Sequence, residues 1–174
     1  RGPMERSSYM LPVAVGCSYN RCKFCTLFRH LKYRELPMEQ IEAELERVRS
    51  LGGNPKHVFL GDGNAFGLAT KRLLEITDLI HRYFPGCQAI NMDGTITNIQ
   101  AKSREELLAL RKAGICHLYL GIESGLDDVL RYMGKDHNLD QAYRQIDRIQ
   151  RAGFMFDAHI MTGIEGHGRG LENG

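Results

Sequence analysis

Cys17, Cys22 and Cys25, within GCSYNRCKFC, are the residues of this chain whose type and spacing most directly suggest chemistry. Thiolates bind soft metals, and neighbours spaced C-x₄-C-x₂-C can converge on one centre. The spacing alone permits three such centres. A structural zinc ion needs a closed tetrahedron, for which His30 is an available fourth ligand. A plant-type [2Fe–2S] cluster uses this spacing together with a distant fourth cysteine. A [4Fe–4S] cluster held by three thiolates leaves one iron without a protein ligand, open to chelation by a small molecule. Cys87 and Cys116 fall at the starts of predicted strands, where they are expected to be small buried core residues at the end of the fold away from the three-cysteine loop. A non-enzymatic iron–sulfur electron-transfer or zinc-binding module therefore stands as the alternative to an enzyme.

The elements that must hold this loop alternate strand and helix. Short β-rich runs are predicted over Tyr9–Val15, His57–Leu60, Gln88–Met92, His117–Ile122 and Phe156–Thr162. Between them Met38, Ile41, Leu45 and Val48 follow Pro37 at helical spacing up to Gly52-Gly53. Leu73, Ile76, Leu79, Ile80 and Tyr83 make a second amphipathic helix, closed by Pro85-Gly86. Ser103 and Glu106 form a capping box ahead of a stripe of Leu107, Leu108 and Leu110, and Gly114 ends that helix. Ala142, Ile146 and Ile149 mark another before Gly153, and Gly125–Met133 predicts a short one. Strand ends recur about every 30 to 45 residues, near the roughly 31 per unit of a (β/α)₈ barrel. The expectation is an α/β fold, an incomplete parallel (β/α) barrel of about five units; an open doubly wound sheet has the same rhythm.

In such folds the loops after the strands share one face. Here those loops are Gly16-Cys17, Gly61-Asp62-Gly63-Asn64, Asp93-Gly94, Glu123-Ser124-Gly125 and Gly163-Ile164-Glu165-Gly166. Glycine after every strand lets backbone groups approach a ligand, so one large ligand on that face is expected.

Composition narrows the classes. The 174 residues suit one domain, 1–174, and both ends are expected to be cut. Lys and Arg number 23 against 21 acidic residues, and a net charge of +2 does not indicate nucleic acid or a membrane surface. No apolar run approaches the roughly 20 residues that span a bilayer, and no secretory signal opens the chain, so a cytoplasmic protein is expected. Five cysteines, three of them crowded together, favour metal ligation over a disulfide framework.

These segments together resemble the radical S-adenosylmethionine (SAM) enzymes over nearly the whole chain. GCSYNRCKFC looks like their cluster loop, with one residue more than the usual C-x₃-C-x₂-C; LGDG stands where their second-strand glycine motif stands; LYLGIESGLDDVLRYMGK is similar to the fourth-strand segment of the oxygen-independent coproporphyrinogen oxidase and methylthiotransferase branches. The resemblance implies a [4Fe–4S] cluster on Cys17, Cys22 and Cys25, and SAM as the second cofactor. It implies that Phe24 lies beside the adenine, that Gly61, Asp62 and Gly63 meet the methionine amino group, that Glu123 contacts the amino acid or ribose part, and that Ile164 packs on the adenine. A buried Glu123 needs either that ammonium or a structural Lys or Arg. The family more often has Gly-Gly-Glu where Gly61-Asp62-Gly63 stands. Lys135, His137, Arg169, Asn91, Asp93 and Thr95 are weaker candidates, Lys135 and His137 being expected in a solvated loop. The implied activity is one-electron reductive cleavage of SAM to a 5′-deoxyadenosyl radical that takes hydrogen from an unspecified substrate. An electron donor such as flavodoxin or ferredoxin is implied with it.

Overall fold

Local sequence signals set most of the elements. In the computed structural model, which describes residues 5–164 and 166, the chain runs β1 (Tyr9–Pro12), β2 (Ala14–Val15), β3 (Arg34–Glu35), α1 (Met38–Ser50), β4 (His57–Gly61), a 3₁₀ turn (Ala65–Gly67), α2 (Thr70–Tyr83), β5 (Ala89–Gly94), α3 (Ile96–Gln100), α4 (Arg104–Lys112), β6 (Ile115–Glu123), α5 (Asp127–Tyr132), α6 (Leu139–Arg151) and β7 (Met155–Ile160). Pro37 precedes α1 as its N-cap, and the Ser103–Glu106 capping box opens α4. Two further reciprocal caps, Thr95 with Asn98 and Asn138 with Gln141, open α3 and α6.

Strand order separates the two folds that periodicity left open. The main sheet runs β1-β4-β5-β6-β7, each neighbouring pair parallel, in the order of the chain. A doubly wound sheet reverses its strand order at a switch point, whereas a barrel wall adds each strand on the same side. The fold is a partial barrel of five parallel strands. One face is apolar: Leu11, Val58, Leu60, Ile90, Met92, Leu118 and Leu120 are buried and form one core with Ile41 and Leu45 of α1, Leu73, Ile76 and Ile80 of α2, and Leu107 and Leu110 of α4. The other face carries Met10, Phe59, Asn91, Asp93, His117, Tyr119, Asp157 and His159 and lines the interior, since strand residues alternate.

The predicted first strand breaks in two. Tyr9–Pro12 joins the barrel, while Ala14–Val15 pairs antiparallel with Arg34–Glu35. That small ladder closes the base of the cysteine loop, and Leu36 N–H donates to Val13 O at 3.0 Å beside it. The last strand spans Met155–Ile160 rather than Phe156–Thr162 and is exposed over most of its length. Leu108 points outward at 45% exposure, so the α4 stripe is Leu107 and Leu110.

Candidate functional site

The cysteine loop, residues 16–33, is held by its own backbone and by α5. Tyr19 Oη donates to Gly134 O at 2.6 Å, and Lys23 N–H donates to Met133 O at 2.8 Å. The exposed Arg29 guanidinium staples the loop to itself, donating to Cys25 O at 2.8 Å, Cys22 O at 3.1 Å and Lys23 O at 2.6 Å. Asn64 Nδ2 donates to Ser18 Oγ at 3.0 Å, tying the loop to the turn after β4.

Cys17, Cys22 and Cys25, all half-buried, open on one cavity of about 590 Å³ at the strand ends. Phe24, Gly61, Asp62, Gly63, Asp93, Thr95, Tyr119, Glu123, Lys135 and His159 line it as well. Burial raises the Cys22 thiol; Lys135 works against that, and Asp136, Cys17 and Cys25 work with it. A bound cation overcomes such a shift by taking the thiolate directly.

Two glycines define how tightly the cavity wall is built. Gly63 adopts φ +51°, and a Cβ there would lie 2.6 Å from Gly16 O and 3.1 Å from Cys17 Cα, so the turn after β4 presses on the start of the cysteine loop. Its N–H donates to the Asp62 carboxylate at 3.0 Å. At Gly121 a Cβ would lie 2.5 Å from Glu123 Oε1 and 3.3 Å from Lys135 Nζ. Glu123 itself sits at φ +74°, where the pairing of β6 with β7 slips, and its carboxylate meets Lys135 Nζ at 3.7 Å. A β-bulge beside a site re-aims a side chain in this way. The same ammonium lies 6.0 Å from the centre of the Phe24 ring.

The cysteines' surroundings bear on which centre they suit. Among the described residues no three His, Cys, Asp or Glu side chains gather closely enough to hold a single metal ion. His30 is exposed and does not line the cavity. Three half-buried thiols lining one cavity offer it soft-metal ligands. Cys87 and Cys116 lie at the opposite, N-terminal ends of β5 and β6, away from the loop.

Residues 11–169 match the family model described as the Radical SAM superfamily. The chain belongs to the radical SAM superfamily. Enzymes of this superfamily pair a [4Fe–4S] cluster with SAM. Among curated relatives, the chain is 25% identical over 153 residues to the heme chaperone HemW of Bacillus subtilis (strain 168), a match covering 86% of this chain and 40% of HemW. It is 26% identical over 172 residues to the threonylcarbamoyladenosine tRNA methylthiotransferase MtaB of Thermotoga maritima, covering 93% of this chain and 38% of MtaB. The chain thus spans well under half the length of these relatives. The structure of the cobalamin-dependent radical SAM enzyme OxsB with aqua-cobalamin and SAM bound superposes with a TM-score of 0.72 at 18% identity, over 95% of this chain and 26% of OxsB. Coproporphyrinogen III oxidase (HemN) from Escherichia coli gives 0.67 at 16% identity, over 89% of this chain and 37% of HemN. Both likenesses concern the radical SAM fold.

Most of the radical SAM candidates read from the sequence meet in the cavity: the three cysteines, Phe24, Gly61, Asp62, Gly63 and Glu123. Ile164 does not; it lines a separate depression with Val129, Tyr132 and Met133 of the α5 segment. Arg169 lies outside the described residues. Lys135 and His137 are not in a solvated loop: their side chains are 5% and 0% exposed, the first paired with Glu123, the second with Asp136 at 3.0 Å. Asp136 also accepts from Thr97 N–H and Oγ1, which fixes the loop before α6 against α3. Thr95 caps α3 as well as lining the cavity. Cys87 is buried as expected; Cys116 is only half-buried and lies beside Arg111, so it is not a core residue. Arg29 was missed, hinted at only by the Arg at Cys25 + 4. Of the partners expected for Glu123, the structure supplies the structural Lys, which nothing local identified as Lys135.

Proposed function

We propose that this chain is the core of an enzyme that cleaves SAM reductively, with Cys17, Cys22 and Cys25 holding a [4Fe–4S] cluster. The observation that carries this reading is the shared cavity: three thiols, the Gly61–Asn64 turn and the Glu123–Lys135 pair face one another across it. When bound, the reduced cluster supplies one electron to the SAM sulfonium, so that the C5′–S bond breaks into methionine and a 5′-deoxyadenosyl radical. Phe24 offers its ring to the adenine. The backbone of Gly61, Asp62 and Gly63 receives the methionine ammonium. Glu123, paired with Lys135, accepts from that ammonium or a ribose hydroxyl, and Lys135 takes the methionine carboxylate. Ile164 has no part in this reading.

The electron comes from outside the chain. Residues 16–34 carry Arg21, Lys23, Arg29, Lys32 and Arg34, all exposed, and no Asp or Glu. The whole chain is only +2, so the rest of it is net acidic. A basic collar around the cysteines suits an acidic donor protein of the flavodoxin or ferredoxin kind. The free cysteines suit the reducing cytoplasm.

The test is anaerobic reconstitution with iron and sulfide, then reduction with dithionite in the presence of SAM and assay for 5′-deoxyadenosine. The wild-type chain should form it, and Cys17→Ala, Cys22→Ala and Cys25→Ala should not. Equal yields from wild type and the three variants would refute the proposal.

A further inference from the structure

The floor of the cavity carries a feature that the SAM-binding reading leaves unused. Asp93 points inward from β5, in register with Tyr119 of β6. Every other acidic side chain on this interior face or at the cavity mouth has a partner. Asp62 accepts from Gly63 N–H, Glu123 meets Lys135, and Asp157 lies 3.2 Å from His117. Glu5, reaching in from the N-terminal segment and buried, takes Asn91 Nδ2 at 2.6 Å, Tyr119 Oη at 2.8 Å and Ser8 Oγ. Among the described residues nothing donates a hydrogen bond to Asp93. Burial raises its carboxyl to about 6; nearby positive charge, that of His159 included, opposes the rise, and Asp62 and Glu5 add to it.

Around this carboxyl stands a row of rings. Phe59 and Tyr119 are 5.8 Å apart between centres, and Tyr119 and His159 are 5.9 Å apart. Tyr119 is fixed from behind by His117, stacked on it at 4.6 Å, and its hydroxyl is committed to Glu5. It therefore offers the cavity a ring face rather than a hydroxyl. Ring faces carry negative electrostatic potential and attract cations and N–H edges. A half-buried carboxylate without a donor among the described residues favours the same partners and repels anions.

We propose that Asp93, with the Phe59–Tyr119–His159 row, forms the substrate subsite of this cavity and selects a compact organic group bearing a positive charge or N–H donors. This rests on the SAM-cleavage reading for the word substrate, and it deepens that reading by naming the substrate's charge class. An ammonium, amidinium or protonated heterocycle gives Asp93 the hydrogen-bond donor it lacks among the described residues while its carbon frame lies on the rings. A substrate group that is a phosphate or carboxylate is excluded from this floor.

The test uses three isosteric probes on the reconstituted protein with SAM bound: benzylamine, benzyl alcohol and benzoate, followed by ligand-observed NMR. Bound SAM keeps the probes from the Asp62 and Glu123 end. Benzylamine should bind and benzoate should not. Asp93→Asn, which keeps size and removes charge, should weaken benzylamine tenfold or more, equivalent to about 1.4 kcal/mol. Phe59→Leu should weaken it too, giving a second variant on a different strand. Benzoate binding as well as benzylamine overturns the subsite. So does an Asp93→Asn variant whose SAM affinity falls as much as its benzylamine affinity, because Asp93 would then belong to the SAM site. Failure of the wild-type protein to bind SAM in the same titration overturns the functional reading instead, and the two failures are read from different ligands.

Discussion

At the scale of single residues, the site depends on contacts that reach beyond any one motif. Arg29 holds three carbonyls of the cysteine loop. Exposed charge-assisted bonds of this kind are worth about 1 kcal/mol each or less. Arg29→Ala should accordingly leave the far-UV circular dichroism unchanged yet lower the iron retained after gel filtration. Undiminished iron would show that the loop keeps its path without the guanidinium. Gly63→Ala is the sharper case, since its Cβ would strike Gly16 O at a φ of +51°. It should cost about 1–3 kcal/mol in chemical denaturation, and a neutral result would mean that the two loops do not touch. The cysteines and the Gly-Asp-Gly turn were legible in the sequence because their chemistry is local. The Glu123–Lys135 pair was not. Its members stand 12 positions apart, and only the path of α5 brings Lys135 back over Gly121.

At the scale of elements, legibility followed length. α1, α2 and α6 run for 13 or 14 residues with buried stripes, and periodicity finds such helices. α3 has five residues, too few to stand on propensity, and β2 and β3 have two each. α3 depends on its Thr95–Asn98 cap and on Asp136, which accepts from Thr97 at 2.6 and 3.1 Å. Burial alone would raise the Asp136 carboxyl, but hydrogen bonds from His137 and Thr97 outweigh it and hold the group well below the usual carboxylate range. Its contribution is therefore present at neutral pH and lost as pH falls below the unfolded value of about 4. In the apoprotein, Asp136→Asn should cost about 1–3 kcal/mol at pH 7. The gap from wild type should shrink as denaturation is repeated toward pH 3; a gap independent of pH would assign the loss to packing instead.

At the scale of the molecule, the fold sorts its residues by face. The outer face of the sheet is aliphatic and covered by helices, the inner face is polar and aromatic, and the strand ends carry the cysteines and glycines. Charge is sorted as well, with the basic residues of 16–34 gathered around the three thiols. If that collar receives an acidic donor, the rate of reduction by a flavodoxin should fall steeply as ionic strength rises toward 0.15 M, about the salt at which screening reaches 8 Å. Lys23→Glu together with Lys32→Glu should flatten the dependence; a rate indifferent to salt would place the docking surface elsewhere. The rhythm of the sequence fitted a barrel and a doubly wound sheet alike, because both repeat strand and helix. Strand order, a property of the assembled sheet, decided between them.

The central claim is that three thiolates hold a cluster with one iron left for SAM. Electron paramagnetic resonance of the anaerobically reconstituted, dithionite-reduced protein, recorded before and after SAM is added, addresses it most directly. The account predicts the signal of a reduced [4Fe–4S] cluster whose g-values change on adding SAM and change no further in excess. A cluster signal indifferent to SAM, or a protein that takes up zinc and gives no signal, would contradict it.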